Sequence, residues 1–334
     1  MRRAEGWKLV DRPDARKTHS GAVPLVGGLA MAAAFLAVYL PALPTGGPAG
    51  SGALAVAILI AVTGGVLDDR HQLRASFKFA FQIAVGLVLA AWGGALLTHL
   101  GHLMSAQLFT LGRWSLPLTV FAVVGVINAV NMADGADGLA GGLALAACLG
   151  FAYAAADAGN APLFSALCAA IGAIAGFLVF NARTPWRESA AAYMGETGCV
   201  LLGLLLAWFA IELAMGEAPG RASGGALAPI TAVWILAVPI ADTVTLMLRR
   251  ALRGKSPFVA DREHLHHVLV GLGIPAKVTA LLIAGLAAAL AAAGIAAERL
   301  GVREHVMFFL YMAGLVAWAI AAELLCRRLK LREN

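Results

Sequence analysis

Charged residues are scarce in this 334-residue chain, where Asp, Glu, Lys and Arg together make up only 13% of the sequence. An ordinary globular protein carries about a quarter. Hydrophobic residues make up 60%, and the mean hydropathy is +0.82. This composition excludes a water-soluble globular domain, because such a domain needs a charged and polar surface. The net charge of +6 falls in a few short loops, so we expect no nucleic-acid partner.

Cysteine is also rare, and the first residues lack the apolar stretch of a signal peptide. The four cysteines are Cys148, Cys168, Cys199 and Cys326. They fall in or beside apolar runs without metal-ligand spacing, so we expect buried thiols rather than a zinc site. The opening MRRAEGWKLVDRPDARKTHSG is basic and polar, so we expect no cleavable leader. Because no repeat of solenoid period occurs, we expect one membrane domain over residues 1–334.

Long apolar runs are what the sequence has in abundance. Each is long enough to cross a bilayer core of roughly 30 Å as a helix. The ten runs cover residues 24–43, 51–67, 77–98, 115–133, 138–157, 160–180, 196–216, 226–248, 275–297 and 304–325. Their Gly and Ala content suits close helix packing in a lipid bilayer. We therefore predict an all-α fold, a polytopic membrane bundle of about ten transmembrane helices.

The distribution of positive charge predicts the orientation of these helices. If the N-terminal loop 1–23 lies inside and the spans alternate, only four basic residues fall in outer loops, namely Arg113, Arg221, Arg299 and Arg303. Every other Lys and Arg falls on the inner side, as the positive-inside rule requires. We expect both termini in the cytoplasm, in the plasma (inner) membrane. The polar clusters that could carry chemistry lie on the same cytoplasmic face.

The first of these clusters is GGVLDDRHQLRASFK, in which Asp68 and Asp69 stand where a span meets water. Adjacent helical positions point about 100° apart, so one acid can face a metal while the other faces a substrate. Carboxylate oxygens at a membrane edge suit Mg²⁺ held together with substrate phosphates. The alternative is a solvated helix end beside Arg70, Arg74 and Lys78.

The second cluster is NAVNMADGADGLAGG, in which Asn128, Asn131 and Asp134 recur every three residues and Asp137 extends the row. This spacing places them on nearly one helical face. Polar side chains near the end of an apolar span are costly unless they line an aqueous or ligand-filled cavity. An ordinary turn between two spans is the alternative.

Two further stretches offer single candidates. YMGETGCVLLG begins the seventh span with Glu196, which is either a partner of the helix dipole or a metal ligand from a second helix. DRPDARKTHSGAVPLVGG leads into the first span and contains Lys17 and His19. These two are candidates for binding a substrate phosphate, and anchoring to the membrane surface is equally consistent with them.

The loop after the eighth span contains SPFVADREHLHHVLVGLG, with His264, His266 and His267 beside Arg262. A zinc protease is not indicated, because the HExxH pattern is missing. Histidines beside basic residues suit hydrogen bonding to phosphate oxygens or proton transfer. A basic patch on anionic lipid would explain the Arg and Lys residues but not the histidines.

Together these clusters predict Mg²⁺-dependent transfer of a phosphoryl-linked group, which needs positioning and neutralisation of charge. Their position at the lipid edge predicts a lipid phosphate as one substrate. The five quoted motifs, taken in chain order from residue 11 to 273, resemble those of the polyprenyl-phosphate N-acetylhexosamine-1-phosphate transferases. VPLVGG and the interrupted HLHH are similar to the branch that uses UDP-N-acetylglucosamine (UDP-GlcNAc) and undecaprenyl phosphate.

The resemblance implies attack of undecaprenyl phosphate on the β-phosphate of UDP-GlcNAc, with release of UMP. The catalytic candidates are Asp68, Asp69, Asp134, Asp137, His264, His266 and His267. The substrate-binding candidates are Lys17, His19, Asn128 and Arg262, and the metal ligands are Asn131 and Glu196. The metal is Mg²⁺, with Mn²⁺ as an alternative. Relatives are commonly homodimers, so a homodimer is also implied.

Two departures from the family pattern affect these expectations. Relatives usually have Asp where this chain has Glu196, and Ser where it has Cys199. The longer Glu side chain could alter the geometry around a metal. Relatives also usually carry a span before the DRPDARK loop, and we expect that first helix to be missing here.

Three rival functions stay open on the sequence. The first is the same reaction with another UDP-N-acetylhexosamine, because the residues that contact the sugar are the hardest to identify from the sequence. The second is a transporter of an anionic lipid, which the gathering of polar clusters on one face disfavours. The third is an inactive paralogue, which the Glu196 substitution and the missing helix keep open.

Overall fold

A computed structural model describes residues 2–11, 21–42, 51–104, 107–184, 187, 189–216, 225–254 and 264–333. The predicted substrate-binding residues Lys17, His19 and Arg262 lie outside these residues. The helices are α1 (Arg2–Gly6), α2 (Gly27–Ala42), α3 (Ser51–His71), α4 (Ala75–Leu87), α5 (Ser115–Ala133), α6 (Leu139–Asp157), α7 (Ala161–Asn181), α8 (Gly195–Met215), α9 (Pro229–Ile235), α10 (Ala237–Leu252), α11 (Leu265–Gly271), α12 (Ala276–Arg299) and α13 (Glu304–Glu333). α4 continues as a π-helical turn over Val88–Trp92, and a 3-10 turn over Gly112–Trp114 precedes α5.

The prediction of a polytopic helical membrane protein is confirmed. Among the described residues, eight helices are long and apolar enough to cross a membrane, and α9 with α10 makes a ninth if that bent pair is one span. α2 is a shorter apolar helix of 16 residues at the place of the first predicted span. The ten predicted runs thus correspond to eight full-length helices, one bent pair and one short helix. All are helical because backbone amides in lipid must find their partners within the same segment.

The eighth predicted span, 226–248, is not one straight helix. It divides into α9 and α10, which meet at Leu236 with a bend of 82°. Pro239 explains the break, because it has no N–H to donate to the carbonyl of Ile235 and its ring crowds that carbonyl. The bend makes α10 a separate element with its own partners, and α10 carries Asp242.

Helix α8 lies at the centre of the bundle. It packs against α5, α3 and α2, and its apolar sequence is buried on nearly every side. Trp208 contacts Phe209 with ring centroids 5.1 Å apart and meets the ring of Tyr39 on α2 edge-on at 6.3 Å. The core therefore surrounds the helix that begins with the predicted ligand Glu196.

Small residues allow the neighbouring helices to approach the start of α8 closely. A side chain at Gly28 of α2 would overlap the backbone of Gly198, and one at Gly65 of α3 would overlap the backbone of Thr197. Close backbone approach at Gly is a common way of packing helices in membranes. The first turn of α8 is consequently fixed against both α2 and α3.

The N-terminal segment also reaches this region. β1 (Val10–Asp11) and β2 (Val23–Pro24) form a short antiparallel pair. The backbone N–H of Tyr193 donates to the Pro24 carbonyl (3.0 Å), and the Tyr193 carbonyl accepts from the N–H of Gly27 (2.9 Å). The VPLVGG motif therefore runs beside the residues that lead into α8.

Candidate active site

A carboxylate from α3 holds the N-terminus of α8. Asp69 accepts hydrogen bonds from the backbone N–H of Glu196 (2.7 Å), the N–H of Thr197 (3.2 Å) and the Thr197 hydroxyl (2.7 Å). Gly195 has a φ of +66°, and a side chain there would collide with the Asp69 carboxylate. The carboxylate satisfies amides that a helix start leaves without partners, and it is favoured by the helix dipole. Asp69 therefore anchors the turn that carries Glu196.

Asp68, the neighbouring acid, has different partners. Its Oδ2 lies 2.6 Å from the Lys78 ammonium of α4, and its Oδ1 accepts from the N–H of Leu73 (2.6 Å). The same ammonium lies 3.5 Å from Oε2 of Glu196. Two carboxylates from different helices thus converge on one positive charge. Asp68 is almost fully buried, so its carboxylate needs such a partner.

The row of polar residues at the end of α5 meets the start of α8. The Asn131 amide donates to Oε2 of Glu196 (2.6 Å). The Cys199 thiol, one turn further along α8, donates to Oδ2 of Asp134 (3.4 Å). Asn131 and Asp134 thus both reach α8, as expected if the row lies on one face.

Asp134 caps the C-terminal end of α5. The protein around its carboxyl group reduces the hydration of that group and raises its pKa to about 6. The Cys199 hydrogen bond opposes this rise, whereas the nearby charges of Asp137, Glu196 and Asp69 add to it. Asp134 thus differs from an ordinary surface carboxylate, and it lies beside the first turns of α8.

We call the group formed by Asp68, Asp69, Asn131, Asp134 and Glu196 the acid centre. Asp137 lies outside this group and instead helps to hold two loops together. Its Oδ2 accepts from Nε of Arg183 (2.8 Å) and from the backbone N–H of Ala190 (3.2 Å). Asn181, at the end of α7, accepts from the N–H of Gly138 (2.8 Å) and donates to the Ala192 carbonyl (3.0 Å). Together these bonds attach the loop after α5 to the segment that leads into α8.

Asn128, a predicted substrate-binding residue, lies one turn away from the acid centre. Its amide donates to Oε1 of the buried Gln82 on α4 (2.7 Å) and to the carbonyl of Val124 (2.8 Å). These contacts join α4 to α5 inside the bundle, which explains how a polar residue is accommodated there.

The three histidines form one cluster. The ring centroids of His266 and His267 are 4.1 Å apart, and those of His264 and His266 are 5.7 Å apart. Nδ1 of His264 lies 2.9 Å from Oδ2 of Asp242 on α10. Nε2 of His266 is buried so close to Gly135 that a side chain there would overlap the ring. The cluster therefore adjoins the loop that contains Asp134.

Comparison with known proteins identifies the family. A family model described as Glycosyl transferase family 4 matches residues 51–214. The undecaprenyl-phosphate alpha-N-acetylglucosaminyl 1-phosphate transferase of Escherichia coli strain K12 is 33% identical over 344 residues, covering 98% of this chain and 89% of the relative. The chain belongs to glycosyl transferase family 4. The protein of the same name from Haemophilus influenzae is 33% identical over 341 residues, covering 99% of this chain and 93% of that relative.

The part of the chain that the family model matches contains the acid centre, because residues 51–214 run from α3 to α8. The histidine cluster follows that range and is covered only by the near full-length relatives. The matched range therefore includes the ends of α3 and α5 and the start of α8.

The metal expected from the resemblance can be tested against the donor atoms. Asp68 and Glu196 approach one ammonium at 2.6 and 3.5 Å, so two carboxylates converge where a cation is already held, and the Asn131 amide nitrogen donates to Glu196 beside them. Among the described residues, no three His, Cys, Asp or Glu side chains stand at metal-binding spacing. The donor chemistry fits Mg²⁺, with an amide beside the carboxylates rather than a third acid.

The sequence analysis did not assign four residues that the structure places in or beside the candidate site. They are Lys78, Asn181, Arg183 and Asp242. Asp242 could have been identified from the sequence, because an acid inside an apolar run needs a partner. Lys78 could also have been identified, since it follows an acid pair across a short turn. No sequence pattern pointed to Asn181 and Arg183, because their contacts join loops that only the packing of the helices brings together.

Proposed function

We propose that this protein transfers N-acetylglucosamine 1-phosphate from UDP-GlcNAc to undecaprenyl phosphate, forming the lipid-pyrophosphate-linked sugar that starts a cell-envelope glycan. The observation that carries the proposal is 33% identity over nearly the whole chain to transferases named for this lipid and sugar. In the reaction, an oxygen of the lipid phosphate forms a bond to the β-phosphorus of UDP-GlcNAc. The bond from that phosphorus to the bridging oxygen breaks, and the electron pair leaves with UMP.

Mg²⁺ would be held by Asn131 and Glu196, with Asp68 beside them, and Mn²⁺ suits the same oxygen donors. When bound, the ion supplies positive charge to the pyrophosphate oxygens. Asp69 keeps Glu196 in place through the first turn of α8. Lys78 neutralises the two acids and is a donor for a phosphate oxygen once a substrate enters.

The remaining roles are proposed from the positions of the described residues and, for Lys17, His19 and Arg262, from the sequence motifs alone. Of the predicted acidic pair we assign the positioning of the lipid phosphate to Asp68, because the hydrogen bonds of Asp69 are taken by α8. Asp134 faces the nucleotide from the end of α5, and Asp137 keeps the loop that carries it in place. His264, His266 and His267 contact the phosphates or the sugar. The other proposed substrate contacts are Lys17, His19, Asn128 and Arg262.

We also propose that the site faces the cytoplasm across the inner membrane, where sugar nucleotides are made. The acids, the histidine cluster and most Lys and Arg residues fall on one end of the predicted spans. This distribution follows the positive-inside rule. A lipid acceptor would reach such a site from the bilayer without leaving it.

The experiment that tests the function is release of UMP by the purified protein in nanodiscs with undecaprenyl phosphate, Mg²⁺ and UDP-GlcNAc. UDP-GalNAc and UDP-MurNAc-pentapeptide are run in parallel. We expect lipid-dependent release with UDP-GlcNAc, and a loss of at least about 100-fold in Asp68→Asn, since a charged group at the reacting phosphates is removed.

The matched control is Asp157→Asn at the far end of α6, where the acid pairs with Arg299 away from the site. Its activity should stay within about twofold, because surface ion pairs contribute little. Release that favours another sugar nucleotide would change the substrate, and release from none of them would contradict the proposed function.

A further inference from the structure

A carboxylate outside the acid centre organises the histidine cluster. Asp242 lies near the start of α10, within an apolar segment, where an ionised side chain needs a partner. Its Oδ2 lies 2.9 Å from Nδ1 of His264, and its Oδ1 accepts from the backbone N–H of Leu265 (3.2 Å). Both oxygens therefore bind the residues at which α11 begins, and both His264 and Asp242 are largely shielded from solvent.

We infer that Asp242 is a positioning residue for the transfer reaction, which holds His264 in one tautomer and one orientation toward the substrate. The inference rests on the proposed function. A carboxylate accepts but does not donate, so the proton of the neutral His264 ring stays on Nδ1. Nε2, on the other side of the ring, is then the atom left to accept a hydrogen bond or a proton from the substrate. Once protonated, it donates to a phosphate oxygen.

An unsatisfied atom nearby indicates where that substrate lies. Nε2 of His266 is buried and has no hydrogen-bond partner among the described residues. It lies against Gly135, the residue that follows Asp134. Buried polar atoms in native proteins have partners, so this nitrogen is left for a ligand. The histidine cluster therefore lies beside the loop that carries Asp134.

The second bond of Asp242 gives it a wider effect than ring orientation alone. The N–H of Leu265 is one of the amides that the start of α11 leaves without a helical partner. By accepting from it, Asp242 also fixes the backbone that carries His266 and His267. The bend at Leu236 directs α10 so that Asp242 reaches α11. Both the side chain and the bend are needed for the cluster.

The kinetic test compares Asp242→Asn, Asp242→Glu, His264→Gln and the double variant Asp242→Asn/His264→Gln in the UMP assay. We expect Asp242→Asn to lower kcat about 10- to 100-fold, as removing the partner of a functional His commonly does. The KM for UDP-GlcNAc should change less than threefold. Asp242→Glu should restore part of the rate. The double variant should be no slower than His264→Gln, because one residue acts through the other.

The matched control is Glu304→Gln. Glu304 makes the same kind of contact with another histidine, because its Oε1 lies 2.9 Å from Nδ1 of His102. This contact is far from Asp242, since Glu304 begins α13 and the end of α13 that meets α10 is the opposite one, where Glu323 binds Arg249. The loss of the Glu304 carboxylate should leave kcat within about twofold. Additive losses in the double variant, or an equal loss in Glu304→Gln, would overturn the inference.

A spectroscopic test does not depend on activity. In protein labelled with ¹⁵N-histidine, the shifts of the His264 nitrogens should report a proton on Nδ1 in the wild type. In Asp242→Asn, which offers an amide N–H, the proton should move in part to Nε2. An unchanged spectrum would overturn the inference even if the wild type is an active transferase. An inactive wild type with the expected spectral change would instead contradict only the proposed function.

Discussion

Lys78 stands between two carboxylates from different helices, Asp68 of α3 and Glu196 of α8. In Lys78→Met the two acids repel one another without a neutralising charge, and a donor for phosphate is lost. We expect lipid-dependent UMP release to fall about 100-fold or more. We also expect Mg²⁺ to raise the melting temperature of the variant more than that of the wild type, because the acids then lack a competing cation.

Lys277→Met is the control for this prediction, since that lysine lies in the first turn of α12. It should melt and respond to Mg²⁺ as the wild type does. A Lys78→Met protein with full activity and no added response to Mg²⁺ would show that the ammonium has no role at the acid centre.

His266 predicts a dependence of stability on pH. Burial, followed by the positive charge that His267 and His264 can carry, lowers the pKa of His266 to about 3 from an ordinary value of about 6.5. Between these values the unfolded chain binds a proton that the folded protein does not, so stability falls as the pH drops below 6.5. In His266→Gln this decline should be shallower by up to about 1.4 kcal/mol per pH unit.

Melting temperatures at pH 7.5 and 5.5 in nanodiscs check this expectation, with His305→Gln on α13 as the control. The difference between the two pH values should shrink in His266→Gln and stay unchanged in His305→Gln. Equal pH dependence in all three proteins would show that His266 is protonated as readily in the folded state as in the unfolded chain.

At the scale of secondary structure, the start of α8 depends on Gly195 and Asp69 together. Gly195→Ala puts a methyl group against the Asp69 carboxylate at a backbone φ of +66°. We expect a loss of about 1 kcal/mol or more in stability from the backbone alone. Activity should fall at least tenfold, because the turn that carries Glu196 shifts, and the UMP assay and the melting temperature measure both effects.

Gly172→Ala on α7 is the matched control, since a side chain there meets nothing within 4 Å. It should be neutral or slightly stabilising, because Ala is the better helix former by about 1 kcal/mol. If Gly195→Ala behaved like Gly172→Ala, the anchoring of α8 by Asp69 would be wrong.

At the scale of the whole molecule, the predicted orientation can be tested with two matched glycines. Gly159, between α6 and α7, and Gly254, after α10, both have positive φ and open surroundings. In a Cys168→Ser background, we expect a membrane-impermeant maleimide to label Gly159→Cys in intact cells. Gly254→Cys should be labelled only after permeabilisation, because its loop is rich in Lys and Arg.

Labelling of Gly254→Cys in intact cells would reverse the orientation and place the acid centre on the outer face. The homodimer implied by the resemblance stays a prediction.

The sequence by itself determined the helical membrane fold and the family. Apolar runs long enough to cross a bilayer can only be helical, since each backbone amide must be satisfied locally. The five motifs identified the family because they preserve residue types in a set order. Even the acids of the candidate site could be named, since Asp68, Asp134 and Glu196 all end or begin apolar runs and such positions are costly without a function.

The tertiary structure alone decided which of these residues act on one another. Asp68 and Asp69 are neighbours in sequence, yet one meets Lys78 and the other caps α8. Their division of roles follows from the close approach of α3 to α8, which no local pattern encodes. In the same way, the bend at Pro239 and the folding back of α11 place Asp242 against His264, 22 residues further along the chain. Contacts of this kind depend on how helices pack, and their partners are therefore not visible in the sequence.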